Sequence, residues 1–197
     1  MFKDHAFLMQ ELKDYASPRA KLTRMIKSGE IIQVRRGLFL AASEKGYSLK
    51  SLAAIIYGPS YISFESAASY HGLIPERVSA ITSATYKKNK NRSFHTPFGD
   101  FFYYYLPAAV YPHSVSCAQE NGMNFLIASP EKALCDMIYR TGKVCRREAM
   151  RQLLFEDWRI EPEKLTELDF EVFRFIAPLY RKRVFSCLLS LLAEERS

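Results

Sequence analysis

Apolar positions recur along this chain with two different periods, and the switches between them mark its elements. From Phe2 to Tyr15, the residues Phe2, Ala6, Phe7, Met9 and Leu12 return broadly at helical spacing and predict a first helix. Ser17 to Gly29 predicts a second helix with its own punctuation. Ser17 suits the cap, Pro18 the first helical position, and Gly29 a left-handed stop. At about 100° per residue, Leu22, Met25 and Ile26 share one face of this helix. Ala20, Thr23, Arg24 and Lys27 point away from that face, with Lys21 and Ser28 at its flanks. Two short β-prone runs follow, Ile31 to Val34 and Leu38 to Ala41, and Arg35-Arg36-Gly37 supplies the turn between them.

Ala42 to Ser48 is small and polar and predicts a linker. Beyond it, Leu49 to Tyr57 predicts a helix that stops at Gly58-Pro59, and Ser63 to His71 another that Gly72 ends. Val78 to Tyr86 alternates as a strand does. Lys87 to Arg92 is a basic turn, and Ser93 to Thr96, Phe98 to Leu106 and Asn124 to Ala128 are further strands. Ser129 caps and Pro130 opens a helix that runs to Tyr139. From there the period is helical: Arg146 to Phe155, Glu161 to Leu168, Asp169 to Tyr180, and Arg181 to Glu194.

This order predicts an α+β protein in two parts. Residues 1–45 read as a small winged helix-turn-helix, with one helix abbreviated or lost relative to the usual three. Residues 46–197 read as a larger domain with a short antiparallel sheet and a C-terminal helical set.

Composition narrows the function classes. The chain has 197 residues, 48% of them apolar and 14% aromatic, which excludes a disordered chain that lacks apolar surface to bury. Four cysteines in that length are too few for a disulfide scaffold. The net charge is +7, which makes a polyanion the first partner class. The charge is uneven. Residues 1–50 hold ten Lys and Arg against five Asp and Glu, whereas residues 151–197 hold eight against nine. The start Met-Phe-Lys-Asp-His has no apolar run of leader length, and no segment is long and apolar enough for a bilayer. The expectation is a cytoplasmic protein with no membrane partner and no cofactor.

The candidate chemistry is nucleic-acid binding. Thr23, Arg24 and Lys27 would reach into a major groove, with Lys21 near phosphate. Arg35 and Arg36 at the hairpin tip would touch the backbone or the adjacent minor groove. Lys87, Lys88, Lys90 and Arg92 are a possible auxiliary nucleic-acid contact. No common phosphate-binding, hydrolase or metalloprotease motif occurs, so no catalytic residue is assigned. His113, Cys117, Cys135 and Cys145 fit no common zinc spacing, and no metal site is assigned. Ser63 to His71 and Ser129 to Asp136 read as capped, packed helices, with Asp136 within helical reach of Lys132 or Arg140. In Phe101-Phe102-Tyr103-Tyr104-Tyr105, strand alternation sends neighbours to opposite faces, and packing is the expected use, with base stacking on tyrosine as the alternative.

Three blocks go beyond generic pattern. They are Ile26-Lys27-Ser28-Gly29-Glu30-Ile31-Ile32-Gln33-Val34-Arg35-Arg36-Gly37-Leu38-Phe39, then Tyr61-Ile62-Ser63-Phe64-Glu65-Ser66-Ala67-Ala68-Ser69-Tyr70-His71-Gly72-Leu73-Ile74-Pro75, then Ile127-Ala128-Ser129-Pro130-Glu131-Lys132-Ala133-Leu134-Cys135-Asp136. In this order and spacing they resemble the AbiEi-type antitoxin and transcriptional regulator family of bacteria. The resemblance implies an N-terminal winged helix that binds double-stranded DNA at inverted repeats of its own operator, and a C-terminal antitoxin part. It implies a type IV toxin–antitoxin system, in which a nucleotidyltransferase-like toxin is antagonised without a stable complex. The alternative is a stand-alone winged-helix transcription factor whose second domain senses a ligand or dimerises. A third possibility is a nucleic-acid enzyme, which would need carboxylates such as Glu65, Asp100, Glu131 and Asp136 to converge on a metal.

Overall fold

The computed structural model describes residues 2–44, 46–142, 144 and 146–195. Near its N-terminus, strand β1 (Lys3–Asp4) precedes helices α1 (His5–Glu11) and α2 (Pro18–Lys27), and a hairpin of β2 (Ile31–Arg35) and β3 (Leu38–Ala41) follows. Helix α1 starts where the Asp4 carboxylate accepts a hydrogen bond from the Phe7 amide at 2.7 Å, so the expected Phe2 to Tyr15 helix is shorter than its apolar spacing suggests. The two residues before it join the small sheet instead, in the order β1-β3-β2, all antiparallel. Such a two-residue strand is fixed by its distant partner β3 and has no periodicity of its own.

Alternation explains how β3 serves two cores. Phe39 faces a small cluster with Leu8, Leu12, Leu22 and Ile31, while Leu38 and Leu40 face the main core together with Val34. All of Leu38-Phe39-Leu40 is therefore buried. Burying Leu22 alone stabilises the small cluster by about 1.5–3 kcal/mol.

The body follows in the order α3 (Leu49–Ile56), β4 (Ser60–Ile62), α4 (Phe64–Tyr70), β5 (Ile81–Thr85), β6 (Arg92–Thr96), β7 (Gly99–Tyr105), β8 (Val115–Glu120), β9 (Met123–Ala128) and α5 (Pro130–Thr141). It ends in α6 (Arg147–Arg151), which runs on through π-helical turns to Asp157, α7 (Pro162–Glu167), α8 (Phe170–Ile176) with a 3₁₀ turn to Tyr180, and α9 (Val184–Glu194). The sheet differs from the short antiparallel one expected. It has six strands in the order β6-β7-β5-β4-β9-β8 and is mixed, with β4–β9 and β5–β7 parallel. Two of its strands carry little sequence signal: β4 is three residues long, and β8 (Val-Ser-Cys-Ala-Gln-Glu) exposes most of its polar side. Both are fixed by pairing with β9, from which β8 is separated only by the tight turn at Asn121-Gly122.

Helices cover the sheet on both sides. Successive residues of β7 point to opposite faces, and Tyr103 donates to the Ala53 carbonyl of α3 at 2.7 Å, while Tyr104 packs edge-on against Phe64 of α4 at 5.0 Å. Helix α5 lies at the centre of the helical side. Glu131 to Ile138 is buried without a gap, because α4, α8, α9 and β9 all pack on it. A helix enclosed all round is normally apolar. This one carries Glu131, Lys132 and Asp136, and each is hydrogen-bonded. Glu131 accepts from the Ser129 hydroxyl and the Asp169 amide. The Lys132 ammonium lies 2.5 Å from Asp136 Oδ1, and the Ser63 and Tyr180 hydroxyls donate to the same carboxylate at 2.6 and 2.5 Å. Ser63 stands in the cap position of α4 but spends its hydroxyl on Asp136.

Candidate nucleic-acid interface

Helix α2 is the most basic element of the small unit. Pro18 opens it, and Ser17 stands before it without a side-chain capping bond. It ends where Gly29 takes φ 76°, with the Glu30 amide bonded to the Met25 carbonyl and the Gly29 amide to the Ile26 carbonyl. That pair of bonds satisfies the last carbonyls and turns the chain straight into β2. Leu22 is buried with Met25 and Ile26 partly so, whereas Thr23, Arg24 and Lys27 are exposed. The helix therefore presents the face expected of it. Lys21 lies at the edge, its ammonium 5.1 Å from the Tyr15 ring centre. Thr23 donates to the Arg19 carbonyl at 3.0 Å, which leaves its oxygen as an acceptor.

At the other end of the hairpin, Gly37 at φ 81° makes the turn. The register slips between Gln33 and Arg35, so Val34 is an extra residue that turns into the main core. A bulge of this kind re-aims its neighbours. Arg35 and Arg36 are both exposed at the tip, and Arg35 Nη1 donates to the Arg36 carbonyl at 3.1 Å. Among the described residues, none of Lys21, Arg24, Lys27, Arg35 and Arg36 is in an ion pair with a carboxylate. Their charge is thus available to a polyanion.

The hairpin tip adjoins the second basic segment. Strand β2 lies beside β6, and the Arg35 charge acts on Tyr103, although burial dominates and raises that phenol well above its usual range. Tyr103 meets Tyr57 at 5.3 Å and Phe94 at 5.6 Å, and the Lys88 ammonium sits 5.1 Å over Tyr57. An aromatic cluster therefore lies between β6 and the Lys87–Arg92 loop. Within that loop Lys88 is half-buried on Tyr57, while Lys87, Lys90 and Arg92 are exposed. Exposed cations on the hairpin and on the loop before β6 suit a phosphate backbone, which fixes position and adds affinity without reading sequence. Sequence discrimination would fall to Arg24 and Thr23 on the helix.

Other chemistry-bearing residues separate. Glu65 pairs with Arg140, Asp100 with His95, Glu131 with Ser129 and Asp169, and Asp136 with Lys132, so these four carboxylates do not share a site. Of the two helical partners open to Asp136, Lys132 is the one it meets. Tyr70, at the end of α4, is 45% exposed where packing was expected. Its ring caps Phe125 edge-on, and the Lys50 ammonium reaches over it from α3. Cys117 is exposed on β8, Cys135 is buried in α5, and Cys145 lies outside the described residues. Among the described residues no three His, Cys, Asp or Glu side chains form a group able to hold a metal ion. No helix of the described residues is long and apolar enough to cross a membrane. One basic run escaped the sequence reading: Arg181-Lys182-Arg183 forms an exposed turn before α9, although three consecutive cations were a visible signal.

No family model matches the chain, and no curated protein matches it. Among solved structures, it is similar to the crystal structure of the RV2827C protein from Mycobacterium tuberculosis. The identity is 13% and the TM-score 0.51, over 100% of this chain and 77% of that one. At that identity the likeness carries the fold alone.

Proposed function

We propose that this chain is a DNA-binding transcriptional regulator whose residues 1–45 act as an abbreviated winged helix. In this reading α1 and α2 are the helix-turn-helix, β2–β3 is the wing, and β1 is the third strand that winged helices place against the hairpin. The missing helix is offset by Val34, Leu38 and Leu40, which anchor the small sheet in the main core. The observation that carries the reading is the face formed by Thr23, Arg24 and Lys27. It is exposed, free of carboxylate partners, and joined by a tight stop to a hairpin with Arg35 and Arg36 at its tip. Arg24 would read a guanine edge, and Lys21, Lys27, Arg35 and Arg36 would sit on phosphates.

The three sequence blocks that resemble AbiEi-type antitoxins extend the proposal. The regulator represses its own operon from inverted repeats in the cytoplasm, and residues 46–197 carry an antitoxin activity against a nucleotidyltransferase-like toxin. The protein is not itself an enzyme in this account. The test is a double charge reversal, Arg24→Glu with Lys27→Glu, assayed by mobility shift on the DNA upstream of its own gene. Binding should be abolished, while rescue of cells expressing the neighbouring toxin gene should persist. An unchanged shift would overturn the assignment of α2.

A further inference from the structure

A second basic and aromatic site lies on the α4 and α5 side of the main sheet, with no residue of α2 in it. It is a pocket of about 250 Å³ with Tyr104, Tyr105, Tyr139, Asn91, Arg140 and Lys182 around it and Phe64 beneath. It is smaller than the ~300–1,000 Å³ of sites for drug-sized ligands and suits a single planar ring. Its walls are fixed. Arg140 is held by Glu65 and lies over the rings of Tyr104 and Phe64, at 4.7 and 5.3 Å. Lys182 caps Tyr139 at 3.9 Å and donates to its carbonyl at 3.0 Å. Tyr105, the last residue of β7, is 40% exposed, so its ring is open to a ligand.

Asn91 shows how the chain builds the rim. Strand β6 begins at Arg92, opposite Tyr103, and so has no residue to pair with Tyr105. The Asn91 side chain takes that place, accepting from the Tyr105 amide at 3.0 Å and keeping its own NH₂ group to donate. Two basic segments meet here. Lys90 and Arg92 flank Asn91, and Arg181 and Arg183 flank Lys182; all four are exposed and without a carboxylate partner among the described residues. The backbone is strained at the same place. Phe64, which lines the pocket, has φ 56°, and Arg181, next to Lys182, has φ 53°, both left-handed values that side chains of this size avoid. Strain of this kind concentrates at binding sites.

We propose that this pocket binds an unpaired nucleobase of a single-stranded nucleic acid. Tyr105 stacks on the base, Asn91 donates to its edge, and the cations of both segments meet the phosphates on either side. Base-on-aromatic stacking tolerates any base, and a duplex keeps its bases out of reach of such a pocket. The site contains no residue of α2, although it shares the Lys87–Arg92 loop with the edge beside the hairpin tip.

Fluorescence anisotropy on the full chain tests the proposal, with a labelled oligoribonucleotide, the same sequence as single-stranded DNA, and its duplex. Tyr105→Ala should weaken single-strand binding roughly five- to hundred-fold, and Tyr105→Phe should restore it. Lys182→Ala should weaken it and flatten its salt dependence, and neither change should alter duplex binding. The two single-stranded probes show which sugar the pocket prefers, and preference for either one, or neither, is consistent with the proposal. Failure of both single strands to bind would overturn it. So would a Tyr105→Ala variant that binds as tightly as the wild type, or loss of the single-strand signal on reversing Arg24 and Lys27.

Discussion

Replacing Lys132 by Met should be among the most destabilising single changes in this chain. The Lys132 ammonium and the Asp136 carboxylate are 2.5 Å apart and both fully buried. At an effective dielectric near 20 their attraction is about 6–7 kcal/mol. Removing two ions from water costs several kcal/mol each, so the intact pair is close to balance. Breaking it is not. Lys132→Met leaves Asp136 with neutral hydroxyl donors, Ser63 and Tyr180 among them, and no counter-charge, and an uncompensated buried carboxylate costs roughly 3–5 kcal/mol. A domain of this size has about 5–15 kcal/mol in total, so the variant should unfold at far lower urea. The double variant Lys132→Met, Asp136→Leu removes both charges and should regain most of the loss. Urea unfolding followed by circular dichroism measures all three proteins, and an unchanged slope confirms that the shift is one of stability. A Lys132→Met protein within about 1 kcal/mol of wild type would refute the reasoning, as would a double variant no more stable than the single one.

Two further outcomes follow from the same structure. Burial and the nearby Asp136 hold the Tyr61 and Tyr180 phenols well above their usual range, burial does the same at Tyr103, and it pushes Tyr111 up to about 12. Above about pH 10 the unfolded chain releases these protons first, so stability should be complete below that pH and fall as pH rises toward 12, read as a declining urea midpoint. A midpoint that stays level between about pH 9 and about pH 11 would contradict this. At the β2–β3 hairpin, Arg35→Ala with Arg36→Ala should weaken duplex binding and make the log–log salt slope shallower by about 2. An unchanged slope would place those arginines off the DNA.

Much of the fold is local and was legible. The stop at Gly29, the cap at Ser129 and the basic face of α2 are set within a few residues by propensity and period. The alternation of buried Phe101 and Tyr103 with half-buried Phe102 and Tyr104 also appears as expected, whereas Tyr105, at the end of the strand, is exposed where packing was expected. What escaped was non-local. Strand β1 and strand β4 are too short to show a period and exist only through β3, β5 and β9. The parallel pairings of the sheet depend on distant segments meeting, which no window of sequence contains. The basic residues of the candidate interface were visible by type. Their meeting was not, because β2 comes beside β6 and Lys88 settles on Tyr57 only through tertiary packing. The pocket around Tyr105 was hidden for the same reason, since Asn91 and Lys182 are far apart in the chain.

The most direct test of the central claim is the salt dependence of binding to the DNA upstream of the gene. If Lys21, Lys27, Arg35 and Arg36 each displace a counterion, log Kobs should fall against log salt with a slope of about −3 to −4 per protomer. Binding should also be tighter than to a duplex of unrelated sequence. A slope near zero, or equal affinity for both duplexes, would contradict the account of α2 and its hairpin as a sequence-reading DNA interface.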